Sequence, residues 1–250
     1  MNQLAAVEGS GLHRVLVLHG WALDSGVWLA SRALTDQAQF CYAYFDFPGY
    51  GVNRGQAPAA SLDEMAAAAL AAADSLGWSS FSVVGHSMGG VTAMRVATMA
   101  PQRVRSVVAV TPASPGGSPL DADTYAHFQG AWADPATRIV KALSPGITPV
   151  DLRNLSARNR ATMSQAVWDA YLANWTAASF LPELKHYAGL VELLYGEDDP
   201  FVTPAYLSST IAALPRHNLR CIAKAGHYPM VEQPAATVGL WEAALAMSAR

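Results

Sequence analysis

Two cysteines in 250 residues, Cys41 and Cys221, exclude a disulfide framework and a four-thiolate zinc site. Charge is scarce as well. Asp, Glu, Lys and Arg make up 14% of the chain, and 16 basic against 19 acidic side chains leave a net charge of −3. That balance provides no electrostatic footprint for nucleic acid or an anionic membrane, so neither partner is expected. Long hydrophobic runs are missing too: the longest, Met65–Ala73, is alanine-rich and falls far short of the ~20 residues of a membrane span. The segment Met1-Asn2-Gln3-Leu4 lacks the cationic stretch and following apolar run of a signal peptide, which points to the cytoplasm. Hydrophobic residues are plentiful at 52%, which excludes disorder as the main state. A chain of this length suits a single large α/β domain, and no internal repeat interrupts it.

What is present is an alternation of short β-branched runs with helical patterns, the signature of a mostly parallel sheet with helices on both faces. Strands are predicted at Arg14–Leu18, Tyr42–Phe45, Phe81–Val84, Val104–Val110, Val191–Tyr195 and Arg220–Ile222. Helices are predicted over Ser61–Leu76, Met88–Met99, Thr203–Leu214 and Pro234–Met247. Ser61 is placed as an N-cap, with Glu64 as its capping-box partner and Gly77 as the stop. The rhythm changes after Thr111. From Asp121 to Leu184 only helix-like stretches occur, and they carry Tyr125, Phe128, Trp132, Trp168, Tyr171, Trp175 and Phe180. The division expected is a core of residues 1–112 and 188–250 with a helical insertion over 113–187.

The sharpest chemical signal is Gly85-His86-Ser87-Met88-Gly89-Gly90, a G-x-S-x-G run placed between a strand and a helix. A nucleophile elbow needs that setting, because the serine is held in a strained turn with its hydroxyl exposed. A serine hydroxyl is a poor nucleophile at neutral pH and requires a base, which in turn requires an orienting acid. Downstream, Gly196-Glu197-Asp198-Asp199 follows one strand and Ala225-Gly226-His227 follows the last. Open α/β sheets build their sites at such strand C-terminal ends. His227 is therefore the candidate base, and the acid lies among the three carboxylates after Gly196. His86 adjoins Ser87, but neighbours on so tight a turn point apart, and it is not assigned as the base.

These motifs, with His19-Gly20-Trp21 and Asp46-Phe47-Pro48-Gly49-Tyr50-Gly51, make the chain resemble the α/β-hydrolase superfamily, in its small capped form. That form includes carboxylesterases, enol-lactonases, C–C bond hydrolases and cofactor-free haloperoxidases. The resemblance selects Asp199 as the acid, three residues after Gly196. It also implies an oxyanion hole formed by the backbone N–H groups of Trp21 and Met88. A helix N-terminus beside Ser87 would favour the negative charge developing there. Asn53 departs from the serine common at that position among relatives, in a segment that is structural in the family.

Other chemistries lack their motifs. Gly49-Tyr50-Gly51-Val52-Asn53-Arg54 misses the third glycine of a dinucleotide fingerprint, and no P-loop lysine motif occurs. No histidine pair has metalloprotease spacing, so neither metal nor cofactor is expected. A serine at the elbow, rather than an aspartate, argues against haloalkane dehalogenase and epoxide hydrolase chemistry. The resemblance thus implies hydrolysis of a carboxylic ester or lactone of an apolar small molecule through an acyl-enzyme. Trp132, Trp168, Tyr171 and Trp175 are the expected pocket residues. Cleavage of a C–C bond in a diketone-like ring-cleavage product is the alternative. Relatives of that kind often place Trp after the catalytic His, where this chain has Tyr228, and an arginine in the cap, for which Arg138, Arg153, Arg158 and Arg160 are candidates. A haloperoxidase or perhydrolase, or a binding protein on the same scaffold, stands further behind.

Overall fold

In the computed structural model, which describes residues 3–247, seven strands form one sheet in the order β1-β3-β2-β4-β5-β6-β7. They are β1 (Leu4–Glu8), β2 (His13–Leu18), β3 (Phe40–Phe45), β4 (Phe81–His86), β5 (Val104–Val110), β6 (Leu190–Gly196) and β7 (His217–Ile222). Six run parallel, and β1 pairs antiparallel with β3 at the edge. Sequence pattern predicts those six and misses β1. Its five residues, LAAVE, carry little β-branched character, and Val7 faces outward, so the hydrophobic signal is weak. Met1 and Asn2, half of the N-terminal segment read above, lie outside the described residues.

Side chains alternate across the strands, and each face collects its own apolar layer. Leu16, Leu18, Phe45, Val83, Val107 and Leu193 meet helices α2 (Leu62–Ser75) and α3 (Met88–Met99). Val15, Val17, Tyr42, Tyr44, Val108 and Leu194 meet Trp28, just ahead of the short α1 (Leu29–Arg32), and Trp241. Alanines at 66, 69, 72 and 73 let α2 pack closely on its neighbours. Its N-cap differs from the expectation in one bond. Ser61 accepts from the Glu64 N–H, but the Glu64 carboxylate accepts from the Ala60 N–H, one residue ahead of the cap.

Between β5 and β6 the chain forms α4 (Ala122–Gly130), a π-helical turn at Ala136–Lys141, α5 (Pro149–Thr162) and α6 (Gln165–Thr176), with no strand among the described residues. Polar bonds seat these helices at the C-terminal edge of the sheet. Arg158 on α5 grips the buried Asp24 carboxylate through both oxygens, at 2.7 Å each, and Asn159 donates to the Ala22 carbonyl. Tyr171 on α6 donates to the Pro48 carbonyl at 2.8 Å and accepts from the Ala59 N–H. Asn53, the departure noted above, is buried. Its amide donates to the main-chain oxygens of Gln3 and Asp46 and accepts from Gln3, so it fastens β1 to the end of β3. After β6 come α7 (Pro204–Ala213), β7, the single turn α8 (Pro229–Glu232) and α9 (Pro234–Met247), which carries Trp241. Among the described residues no helix is long and apolar enough to cross a membrane.

Candidate active site

Strand β4 ends at His86 and α3 begins at Met88, which leaves Ser87 alone in the turn. Its φ of 52° and ψ of −114° lie outside the regions open to ordinary L-residues. Such backbone costs on the order of 1–3 kcal/mol and persists only where its surroundings fix it. Here the Ser87 N–H donates to Val110 on β5, and its carbonyl accepts from Gly90, Val91 and Ala113. Gly89 completes the turn, since a Cβ there would collide with the main-chain oxygens of Leu18 and His19. Glycine thus lets the first turn of α3 pass beside the end of β2, which brings the Met88 and Trp21 segments together.

His227 lies in the loop after β7, and its Nε2 is 3.0 Å from Ser87 Oγ. Its Nδ1 is 2.7 Å from Asp199 Oδ2. The other carboxylate oxygen, Oδ1, accepts from the N–H groups of Phe201 at 2.8 Å and Val202 at 3.0 Å. Burial opposes ionisation of Asp199, yet the charge and hydrogen bond of His227 and these two N–H groups outweigh it and hold the carboxyl below its ordinary value. The side chain of Asp198 is exposed, as is that of Glu197. Of the three carboxylates after Gly196, only that of Asp199 meets His227.

Two further histidines frame the turn. His86 is fully buried, donates from Nε2 to the His227 carbonyl at 2.9 Å, and makes no bond to Ser87. Burial, reinforced by the neighbouring His227, pushes it well below the usual histidine range, which keeps it neutral. His19 is also buried, and burial lowers it despite the nearby carboxylate of Asp46. Its Nδ1 lies 2.8 Å from the Gly20 carbonyl and its Nε2 accepts from the Phe47 N–H at 3.1 Å, which makes Nδ1 the donor. Anchoring that carbonyl fixes the orientation of the Gly20–Trp21 peptide.

A cavity of about 20 Å³ adjoins Ser87 and His227, room for about one water. Its wall includes Trp21, Phe128, Ile139, Leu143, Trp175 and Phe201. Of the four insertion aromatics expected there, only Trp175 lines it. Trp168 packs on the Trp21 ring at 4.1 Å and on Trp132, as a second layer behind the wall. The half-buried Trp132 is further out, beneath the Arg160 guanidinium. Tyr171 is the anchor described above. Bulk and helical spacing do not tell a wall residue from one behind it. Phe201 carries no sequence signal, because it follows the acid in an irregular loop where no periodicity marks a side chain as inward. The Trp175 indole N–H is buried with no acceptor among the described residues.

Residues 15–240 match the alpha/beta hydrolase family. The chain belongs to that family, and the sheet order and elbow are its architecture. It is similar to a pimeloyl-[acyl-carrier protein] methyl ester esterase of Serratia marcescens, 30% identical over 254 aligned positions that cover 95% of this chain and 96% of the relative. Its structure resembles a thermophilic esterase from Thermogutta terrifontis, with a TM-score of 0.84, 20% identity, and coverage of 98% of this chain and 93% of the other. It also resembles the enol-lactonase from Burkholderia xenovorans LB400, with a TM-score of 0.83, 18% identity, and coverage of 96% and 95%.

Proposed function

We propose that this protein is a serine hydrolase that cleaves a carboxylic ester or lactone of an apolar small molecule through an acyl-enzyme. One observation carries the reading: Ser87, His227 and Asp199 form an unbroken hydrogen-bonded chain, with the serine strained into an elbow at an apolar cavity. Ser87 Oγ attacks the substrate carbonyl as His227 Nε2 takes the hydroxyl proton. Asp199 holds Nδ1–H and stabilises the imidazolium. The backbone N–H groups of Trp21 and Met88 receive the oxyanion, the second of them at the positive end of α3. His227 then returns its proton to the leaving alkoxide, and water attacks the acyl-enzyme by the same route. With a lactone the leaving hydroxyl remains on the released acid.

The apolar wall supports a substrate of low polarity, and the relative that is named a methyl ester esterase supports simple alkyl esters. The test is turnover of four substrates: an aryl ester, a methyl ester, a lactone and a ring-cleavage diketone. Hydrolysis of an ester or the lactone with the diketone inert is the expected result. Cleavage of the diketone alone would move the protein to C–C bond hydrolysis, and no turnover of any would contradict the assignment.

A further inference from the structure

The base is held by its main chain as much as by its ring, and the insertion provides part of the grip. The His227 N–H donates to the Leu143 carbonyl at 3.0 Å, and the His227 carbonyl accepts from His86 Nε2 and from Thr111 Oγ1 at 3.0 Å. Around it, one oxygen of Glu232 gathers three donors: Ser144 Oγ at 2.8 Å, Gly226 N–H at 3.0 Å and Tyr228 N–H at 3.2 Å. The Tyr228 N–H is shared with Ser144 Oγ at 3.3 Å. Gly226 is what permits this closeness, because a Cβ there would lie 2.6 Å from both Cα and Oγ of Ser144. The residues on either side of the base are therefore tied by Glu232 to a fully buried serine of the insertion.

We infer that Leu143, Ser144 and Glu232 form a positioning device that aligns His227 only while the insertion is seated. The inference rests on His227 serving as the base. Leu143 does two things at once: its side chain lines the cavity beside Ser87 and its carbonyl holds the His227 N–H. Upstream, the π-helical turn sets its place, with Ile139 in the same wall and the Ser144 N–H donating to Val140 at 2.9 Å. Any shift of this wall carries the Leu143 carbonyl with it, so the placement of the base follows the seating of the insertion.

The test is a double-mutant cycle against His227→Ala, read with an activated aryl ester together with each variant's melting temperature. Glu232→Ala and Ser144→Ala should each lower kcat by about 10- to 10²-fold with KM little changed, the scale of a small misplacement of a catalytic group. In the His227→Ala background the same substitutions should leave the residual rate unchanged, because a device that acts through the base has nothing left to position. Glu232→Gln, which keeps a carbonyl oxygen facing the three donors, should retain most of the activity. Equal losses in both backgrounds would show a general structural role and overturn the inference, as would a wild-type kcat in Ser144→Ala, which decides alone if Glu232→Ala does not fold. If His227→Ala itself turns over like wild type, the hydrolase assignment fails, and the inference falls with it.

Discussion

Asp199→Asn isolates the acid, and the hydrogen bonds around it determine what the amide must do. Oδ1 accepts from the N–H groups of Phe201 and Val202, so the asparagine carbonyl oxygen has to occupy that position. The NH₂ group is then forced to face His227 Nδ1, which today lies 2.7 Å from a carboxylate oxygen. Two donors cannot face each other, and His227 must accept there and carry its proton on Nε2 instead. Nε2–H would point at Ser87 Oγ, 3.0 Å away, with no lone pair for the hydroxyl proton. The lost charge adds to the lost tautomer. Two unit charges about 4 Å apart interact by about 4 kcal/mol at an effective dielectric of 20, equivalent to on the order of 10³ in rate. Asp199→Asn should therefore lower kcat on an aryl ester by about 10²–10⁴-fold. Asp198→Asn, on an exposed side chain, should stay close to wild type. Steady-state kinetics of both variants, with circular dichroism to confirm folding, decides the matter. A larger loss in Asp198→Asn, or less than a tenfold loss in Asp199→Asn, would refute the assignment of the acid.

Other outcomes follow from the same geometry. Trp175→Ala enlarges the cavity wall and should change the ratio of kcat/KM for a bulky and a short ester by about tenfold, or about 1.4 kcal/mol. Tyr171→Phe strands the Pro48 carbonyl and the Ala59 N–H, so it should cost about 1–3 kcal/mol in a denaturant melt and leave that ratio unchanged. Arg158→Ala leaves the buried Asp24 carboxylate without its cation; with the arginine partly exposed, the loss should be about 1–3 kcal/mol by the same melt. Burial, helped by the charge of Arg105, lowers His13 to about 4, so the folded protein keeps it neutral while the unfolded chain takes up a proton below about 6.5. Its contribution is therefore complete above pH 6.5 and is lost as pH falls toward 4. His13→Gln should flatten that part of a plot of urea midpoint against pH.

The strands and helices that build the scaffold were legible because short β-branched runs alternate with longer helix-forming stretches: Val104–Val110 and Met88–Met99 have the same ends in sequence and structure. Ser87 was legible for a different reason. A glycine-flanked serine between a β-branched run and a helix has few other uses. Asp199 needed the family resemblance, since Glu197, Asp198 and Asp199 differ only in burial, which spacing does not reveal. Trp168 and Tyr171 shared the bulk and helical spacing of Trp175, yet one backs the wall and the other ties α6 to Pro48. Glu232 gave no signal at all, for a lone carboxylate at the end of a single helical turn reads as a solvated charge until its three donors are placed around it.

The central claim is that Ser87 is the nucleophile, and a fluorophosphonate tests it directly. Mass spectrometry of the labelled protein should show one adduct per chain, located by peptide mapping on Ser87. Ser87→Ala should take up no label and lose on the order of 10⁴-fold or more in kcat. An adduct on another serine, or turnover that survives Ser87→Ala, would contradict the account.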